Sequence, residues 1–321
     1  MKDATPEIED ADRAALALKG IARDESIKAY ILSEPNLRAV LLRSARRFIG
    51  GEQLEECLTG AQSFNSEGFA VTIDYMGEST RDEQIAREAV QEFETVIDSI
   101  LRWGLDSSVS LDLSHIGLAV DEELCYSQAY RLAERARRAG LEMMISMEGS
   151  ERTEQVLSIY HRLAERFENV GVTLQVYLRR TPEDMEAVLK HPGRIRLVKG
   201  AFEEPEEATI MKGVETDAAY RSCVERVLSE GHPCSISTHD QQLLEHADRF
   251  VRDNELSTDN IEFEMLKGVE LERLARMRDL GYGARVYLPY GEEWYLYLCH
   301  RLAEHPPNIY QAISDAADVQ G

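Results

Sequence analysis

Near its C-terminus the chain reads VYLPYGEEWYLYLCHRLAEHPPN, residues 286–308, and sets Cys299, His300 and Arg301 side by side. A thiol next to an imidazole suggests a nucleophile with its base. Neighbours in a helix point about 100° apart, however, so this pair cannot face each other on the helix that the surrounding pattern predicts. Other groups capable of chemistry are spread along the chain. Asp112, Glu148, His239 and Glu264 are hard or borderline metal ligands. Arg196 and Lys199 form a cationic pair suited to an anionic ligand. No HxxH, HExxH or CxxC pattern occurs, so a metal site would have to be assembled from distant segments.

The elements that must position these groups follow a rhythm. From residue 68 short β-rich runs alternate with amphipathic helical stretches: GFAVTIDYM, SSVSLDLSHIGL, EMMISMEGS, GVTLQVYL, IRLVKGAF, PCSISTHD, IEFEML and ARVYLPYG. Seven helical stretches lie between them, among them 82–102, 121–139 and 213–230, and an eighth follows the last run. Eight such units predict a (β/α)₈ barrel, an α/β fold, rather than an open doubly wound sheet, and no GxGxxG follows a strand. Residues 5–62 carry helical periodicity broken at Pro35 and at Gly50-Gly51. The expected organisation is a helical segment over 1–67 and a barrel over 68–321. Active sites of such barrels lie at the C-terminal ends of the strands. That rule selects Glu78, Asp112 with Ser114 and His115, Ser146 with Glu148, Gln175 with Tyr177, and Arg196 with Lys199. It also selects Thr238 with His239, Glu264 with Leu266, and Tyr287 with Tyr290.

Charge narrows the partners. With 36 basic and 59 acidic residues among 321, the net charge of −23 argues against nucleic acid and anionic membranes, since phosphates attract basic surfaces. Five scattered cysteines give neither a disulfide framework nor a structural zinc pattern, which fits a reducing compartment. The start, MKDATPEIEDADRAAL, is acidic and lacks an apolar signal core. No segment approaches the roughly 18 apolar residues of a membrane helix, and a cytoplasmic protein is expected.

Seven runs taken in order carry a resemblance: VTIDYMGE, MEGS, TLQVYLRR, RIRLVKGAFEEP, STHD, FEMLKG and RVYLPYGEEWYLYLCHRLAEHPPN. Together they resemble the successive motifs of the proline dehydrogenase family, flavoenzymes that oxidise proline to pyrroline-5-carboxylate. The resemblance implies a distorted (β/α)₈ TIM-like barrel with helices before it, holding FAD non-covalently at the strand ends. It also implies a C-terminal helix folded over the active site to supply the substrate pocket. Arg196 and Lys199 match the family residues that reach the cofactor, and Phe202 stands where a tyrosine is usual. Gln175 matches a glutamine that hydrogen-bonds the flavin, Thr238 and His239 match an Ala-Thr-His motif, and Ser146 replaces an aspartate on the cofactor side. An arginine at the flavin would stabilise its anionic reduced form.

The substrate side departs from the pattern. The family's last helix carries Tyr-x-x-Arg-Arg-x-x-Glu, whereas this chain has Tyr297, His300, Arg301 and Glu304. A lysine of the second-strand motif aligns with Asp112, and Tyr287 completes the implied pocket. Three positive charges thus become none when His300 is neutral. A charge-assisted hydrogen bond is worth roughly 1.5–3 kcal/mol, so the change weakens a carboxylate clamp by about a thousandfold. The expected function is FAD-dependent oxidation of a C–N bond, in proline or a proline-like or small amine, to an imine. The electron acceptor is open among quinone, oxygen and a partner protein. Two other readings stand beside it: a metal-dependent barrel enzyme using Asp112, Glu148, His239 and Glu264, and a non-catalytic flavin-binding homologue.

Overall fold

Apolar and polar residues alternate within most of the β-rich runs, and the fold gives that alternation a direction. A computed structural model describes residues 6–22, 24–304 and 307–317. Met1 to Thr5 of the expected N-terminal segment and His305 and Pro306 of the last motif lie outside the described residues. The N-terminal helices are α1 (Pro6–Ala22), α2 (Glu25–Ser33), α3 (Pro35–Ala45) and α4 (Leu54–Ser66). Pro35 begins α3 as expected. The pattern did not show the further break before α2, where the Asp24 side chain caps the amides of Ser26 and Ile27. The strands are β1 (Ala70–Tyr75), β2 (Ser107–Leu111), β3 (Met143–Ile145) and β4 (Val170–Gln175), then β5 (Ile195–Val198), β6 (Cys234–Ser237), β7 (Ile261–Leu266) and β8 (Gly283–Tyr290). They close in sequence order into one barrel, and the seven consecutive pairs from β1–β2 to β7–β8 run parallel. Between them lie α5 (Glu83–Trp103), α6 (Glu122–Ala139), α7 (Thr153–Ala164), α8 (Thr181–Val188), α9 (Val214–Ser229), α10 (Gln241–Asp253) and α11 (Leu271–Asp279). After β8 come α12 (Trp294–Glu304) and α13 (Pro307–Ala317). The sequence pattern had treated α12 as the last helix, and the proline at 307 opens another.

The chain groups into two compact units, residues 1–57 with 289–321 and residues 58–288. In the first, α3 is tied to α13: Ser44 donates to the Ala312 carbonyl at 2.7 Å and Arg47 forks onto Asp315 at 2.6 and 2.9 Å. Glu52 accepts from Arg38 and from the indole Nε1 of Trp294.

In the second unit aspartates at the turns start helices by accepting from their first free amides: Asp82 for α5, Asp121 for α6 and Asp240 for α10. Gly104 and Gly140 end α5 and α6 in the left-handed conformation. Neighbouring helices are joined by arginine–acid pairs, Arg135–Asp98, Arg162–Glu123 and Arg226–Glu186 among them. These are solvated and contribute little each.

The interior of the barrel is polar. Val71, Ile73, Val109, Leu111, Leu197, Ile236 and Phe263 are fully buried, and by the two-residue period they lie on the opposite wall face from Thr72, Ser108, Ser110, Arg196, Ser237 and Glu264. Arg196 on β5 donates to Ser110 on β2 at 3.1 Å, a bond between non-adjacent strands that must cross the lumen. At the other end of the strands Arg285 sits against Glu262, with Nε 3.0 Å from both carboxylate oxygens, and donates to the Val71 carbonyl at 2.7 Å.

A second polar pair lies outside the barrel wall. His161 Nδ1 and His191 Nε2 are 3.0 Å apart, and the His191 carbonyl is 2.7 Å from His232 Nε2. A hydrogen bond between imidazoles needs one neutral partner as acceptor. Burial holds both groups below their ordinary value of 6.5, with mutual repulsion adding at His161, while Asp184, Glu165 and Glu154 pull His161 the other way. A lowered imidazole pKa means that the unfolded chain takes up protons that the folded one resists. The stabilisation is therefore present above about pH 6.5 and lost as pH falls through the folded values. We expect the melting temperature of the wild type to fall between about pH 7 and 5 more steeply than that of His161→Gln, which keeps a hydrogen-bonding amide without a titrating proton. Parallel pH curves for the two proteins would remove the pair from the stability of the fold.

Candidate active site

The strand ends gather most of the selected groups, and Arg196 is their anchor. It is only 5% exposed and pairs with Glu264, itself 3% exposed, through Nη2 at 3.0 Å and Nε at 2.6 Å. The Nε approach is close but off hydrogen-bond alignment. Glu264 also accepts from Thr72 at 2.7 Å and Ser237 at 3.0 Å. Ser110, which receives Arg196, lies 3.1 Å from Ser146. The guanidinium carbon stands 5.3 Å from the centre of the Tyr287 ring.

Two aspartates face this anchor. The Tyr287 hydroxyl donates to Asp74, the last inward residue of β1. Burial raises the Asp74 carboxyl to about 6, against the pull of Tyr287 and Arg196 and with the repulsion of Glu264. Asp112, one residue past β2, is held well above the usual carboxylate range by burial and then by Glu148, Asp74 and Glu78, while a hydrogen bond with Ser146 opposes this. Burial likewise holds the Tyr287 phenol well above its ordinary value, so it keeps its proton.

The remaining groups form a rim. Glu148 accepts from the Ser114 amide at 2.8 Å and from Arg152 at 2.7 Å, and its carbonyl receives the Gln175 amide at 2.7 Å. Lys199 is gripped by Asp217 at 2.6 Å and Asp240 at 2.8 Å, and these partners raise its pKa despite partial burial. Thr238 accepts from the Asp240 amide at 3.2 Å, and His239 Nε2 accepts from the Leu266 amide at 3.1 Å. The Phe202 carbonyl receives the Tyr177 hydroxyl at 3.3 Å. Gly200, at φ +113°, could carry no side chain here, because a Cβ would lie 2.1 Å from the Tyr177 ring.

Among the described residues no group of three or more His, Cys, Asp or Glu side chains is placed to hold a metal ion. Glu264 is committed to Arg196, Glu148 to Arg152, and the His239 nitrogen to a backbone amide. On α12, Tyr297 and Arg301 stack at 5.0 Å and Arg301 pairs with Glu304, with His300 half-buried on the same helix. Burial pushes the Cys299 thiol up, which disfavours the thiolate that a nucleophile needs. Sequence reasoning missed Asp74, Thr72 and Ser110. Their inward position in alternating strands was a usable signal, but their partners were not visible.

Comparison with known proteins gives this geometry a context. Residues 57–308 match the family model described as proline dehydrogenase. Proline dehydrogenase 2 of Bacillus subtilis (strain 168) is 33% identical over 266 residues, spanning 83% of this chain and 88% of that protein. A proline dehydrogenase of Deinococcus radiodurans is 32% identical over 269 residues, 82% and 87% of the two chains. Proline utilization A from Bdellovibrio bacteriovorus shares the fold, with a TM-score of 0.81 at 18% identity, covering 97% of this chain and 39% of that longer one. The chain belongs to the proline dehydrogenase family, a family of flavin-dependent oxidoreductases.

Proposed function

We propose that this chain binds FAD at the strand ends and oxidises the C–N bond of an amine to an imine, with a substrate that has diverged from free proline. One buried group in the lumen supports a polar ligand there: Thr173 Oγ1 lacks a hydrogen-bond partner, and Thr173 pairs with Arg196 across β4 and β5. An unused buried hydroxyl of this kind fits the polar edge of a ring system. Arg196, Gln175, Lys199, Thr238 and His239 would hold the cofactor, with Ser146 at its edge. When bound, FAD would supply a two-electron acceptor for hydride from the carbon next to nitrogen. The chain's own part is electrostatic: Arg196, fixed by Glu264 and Ser110, keeps a cation in a dry site without reorganisation.

The observation that carries the substrate reading is Asp112, crowded by Glu148, Asp74 and Glu78 where the family pattern has a lysine. A carboxylate ligand finds repulsion from this group, and a protonated or N–H-bearing amine finds acceptors. Tyr287, Tyr297, His300, Arg301 and Glu304 are the other positions that the family pattern gives to substrate recognition. The free, buried thiols suit a cytoplasmic location, and no helix among the described residues is long and apolar enough to cross a membrane. The electron acceptor is a quinone, oxygen or a partner protein, to be told apart by reoxidation kinetics.

Purified protein should carry FAD, and Arg196→Met should slow anaerobic flavin reduction by about a hundredfold or more, the usual scale for a lost electrostatic group. Flavin content and melting temperature serve as controls, and equal reduction rates would take Arg196 out of the mechanism. Proline itself should bleach the flavin weakly at about pH 8 and faster towards pH 6. Lower pH favours the protonated form of an imidazole and of a carboxyl held above its usual range, and both changes favour a carboxylate ligand. The double substitution Asp112→Lys with His300→Arg should be faster than either single change predicts and less dependent on pH. A panel of amines without a carboxylate completes the stopped-flow series. Wild type reduced by proline as fast as the double variant would mean an ordinary proline dehydrogenase with tolerated substitutions.

A further inference from the structure

A tyrosine hydroxyl has one proton to give and two lone pairs to offer, so whichever group takes the proton decides what the oxygen presents to a ligand. The proton of Tyr287 goes to Asp74. Both side chains are held. Asp74 is 8% exposed at the end of β1, and Tyr287 stands on β8 with its ring beside the Arg196 guanidinium. The charged groups that face the pair come from the surrounding strands: Arg196 from β5, Glu264 from β7 and Asp112 beyond β2. Arg196 in turn is locked by Glu264 and Ser110, so the ring rests on a fixed neighbour.

We propose that Asp74 is the positioning residue for Tyr287: by taking the hydroxyl proton it leaves the phenol oxygen only lone pairs for a ligand, which selects a substrate nitrogen that carries hydrogen. The inference deepens the amine-oxidation reading and rests on it only for the identity of the ligand. A bond from a hydroxyl to a carboxylate is stronger than one between neutral groups, so the orientation holds while Asp74 is ionised. Below about pH 6 the carboxyl gains its own proton, becomes a donor, and releases the phenol to turn. The selectivity is therefore present at neutral and higher pH and fades in acid.

The test uses the full chain labelled with 3-fluorotyrosine, with the Tyr287 resonance assigned from Tyr287→Phe. In the wild type that resonance should move in one step with a midpoint of about 6, and in Asp74→Asn the step should be absent. A resonance that stays flat in the wild type, or that shows the same step in Asp74→Asn, overturns the proposal. The wild-type titration alone decides this if the variant does not fold. At about pH 8, where pyrrolidine is protonated and carries N–H, it should perturb the same resonance at roughly tenfold lower concentration than N,N-dimethylpyrrolidinium, which has the same charge and no N–H, the scale of one hydrogen bond. That preference should disappear in Asp74→Leu. Equal responses to the two cations in the wild type overturn the selectivity. A normal pH step with no response to either cation leaves the hold of Asp74 on Tyr287 intact and rejects the amine reading instead.

Discussion

A closed barrel of eight parallel strands removes its lumen from water, and this one fills the lumen with charge. Arg196–Glu264 and Arg285–Glu262 are both buried ion pairs. Desolvating four charges costs more than packed aliphatic side chains would, so such pairs are poor devices for stability alone. Their geometry makes them tolerable. Serine and threonine hydroxyls from neighbouring strands take up spare valences, with Thr72 and Ser237 on Glu264, Ser110 on Arg196, and Ser108 and Ser235 in the lower pair. Removing one member of either pair would strand a buried charge, at a cost of about 3–5 kcal/mol. What this arrangement provides is a cation held rigidly where the strands end.

From that anchor the electrostatics of the strand ends follow. Arg196 is the cation beside Asp74 and Glu264, and its charge is largely answered by Glu264, while Glu148 is met by Arg152. Burial first, then repulsion from neighbouring carboxyls, makes Asp74 and Asp112 hold protons to higher pH than free aspartate. Lys199 cannot relieve them, since Asp217 and Asp240 already claim it. A site of this kind favours ligands that bring positive charge or N–H donors. On the proposed reading, membership of the proline dehydrogenase family and departure from its carboxylate clamp are compatible: the flavin side would keep its residues while the substrate side would lose its net positive charge.

Much of this was legible in the sequence. Short β-rich runs between helical stretches gave all eight strands, and eight βα repeats gave the barrel, because both signals are local. The Asp and Gly residues at helix ends act through hydrogen bonds a few residues away, a local signal of the same kind. Seven motifs in order gave the family. The separate α13 and the break before α2 escaped, since each depends on one capping residue or proline inside a helical pattern.

The sequence by itself thus determined the fold class, the family and the residues at the strand ends. Tertiary structure alone decided what each of those residues does. Glu264 could be read as a metal ligand until Arg196, 68 positions away, was found against it. Asp74 carried no sign of its partner until Tyr287, 213 positions away, placed its hydroxyl there. Barrel closure brings such residues together across adjacent strands and across the lumen. The physical reason is that burial makes a polar group's partner decisive, and in a barrel that partner comes from another strand, whose position no local pattern records.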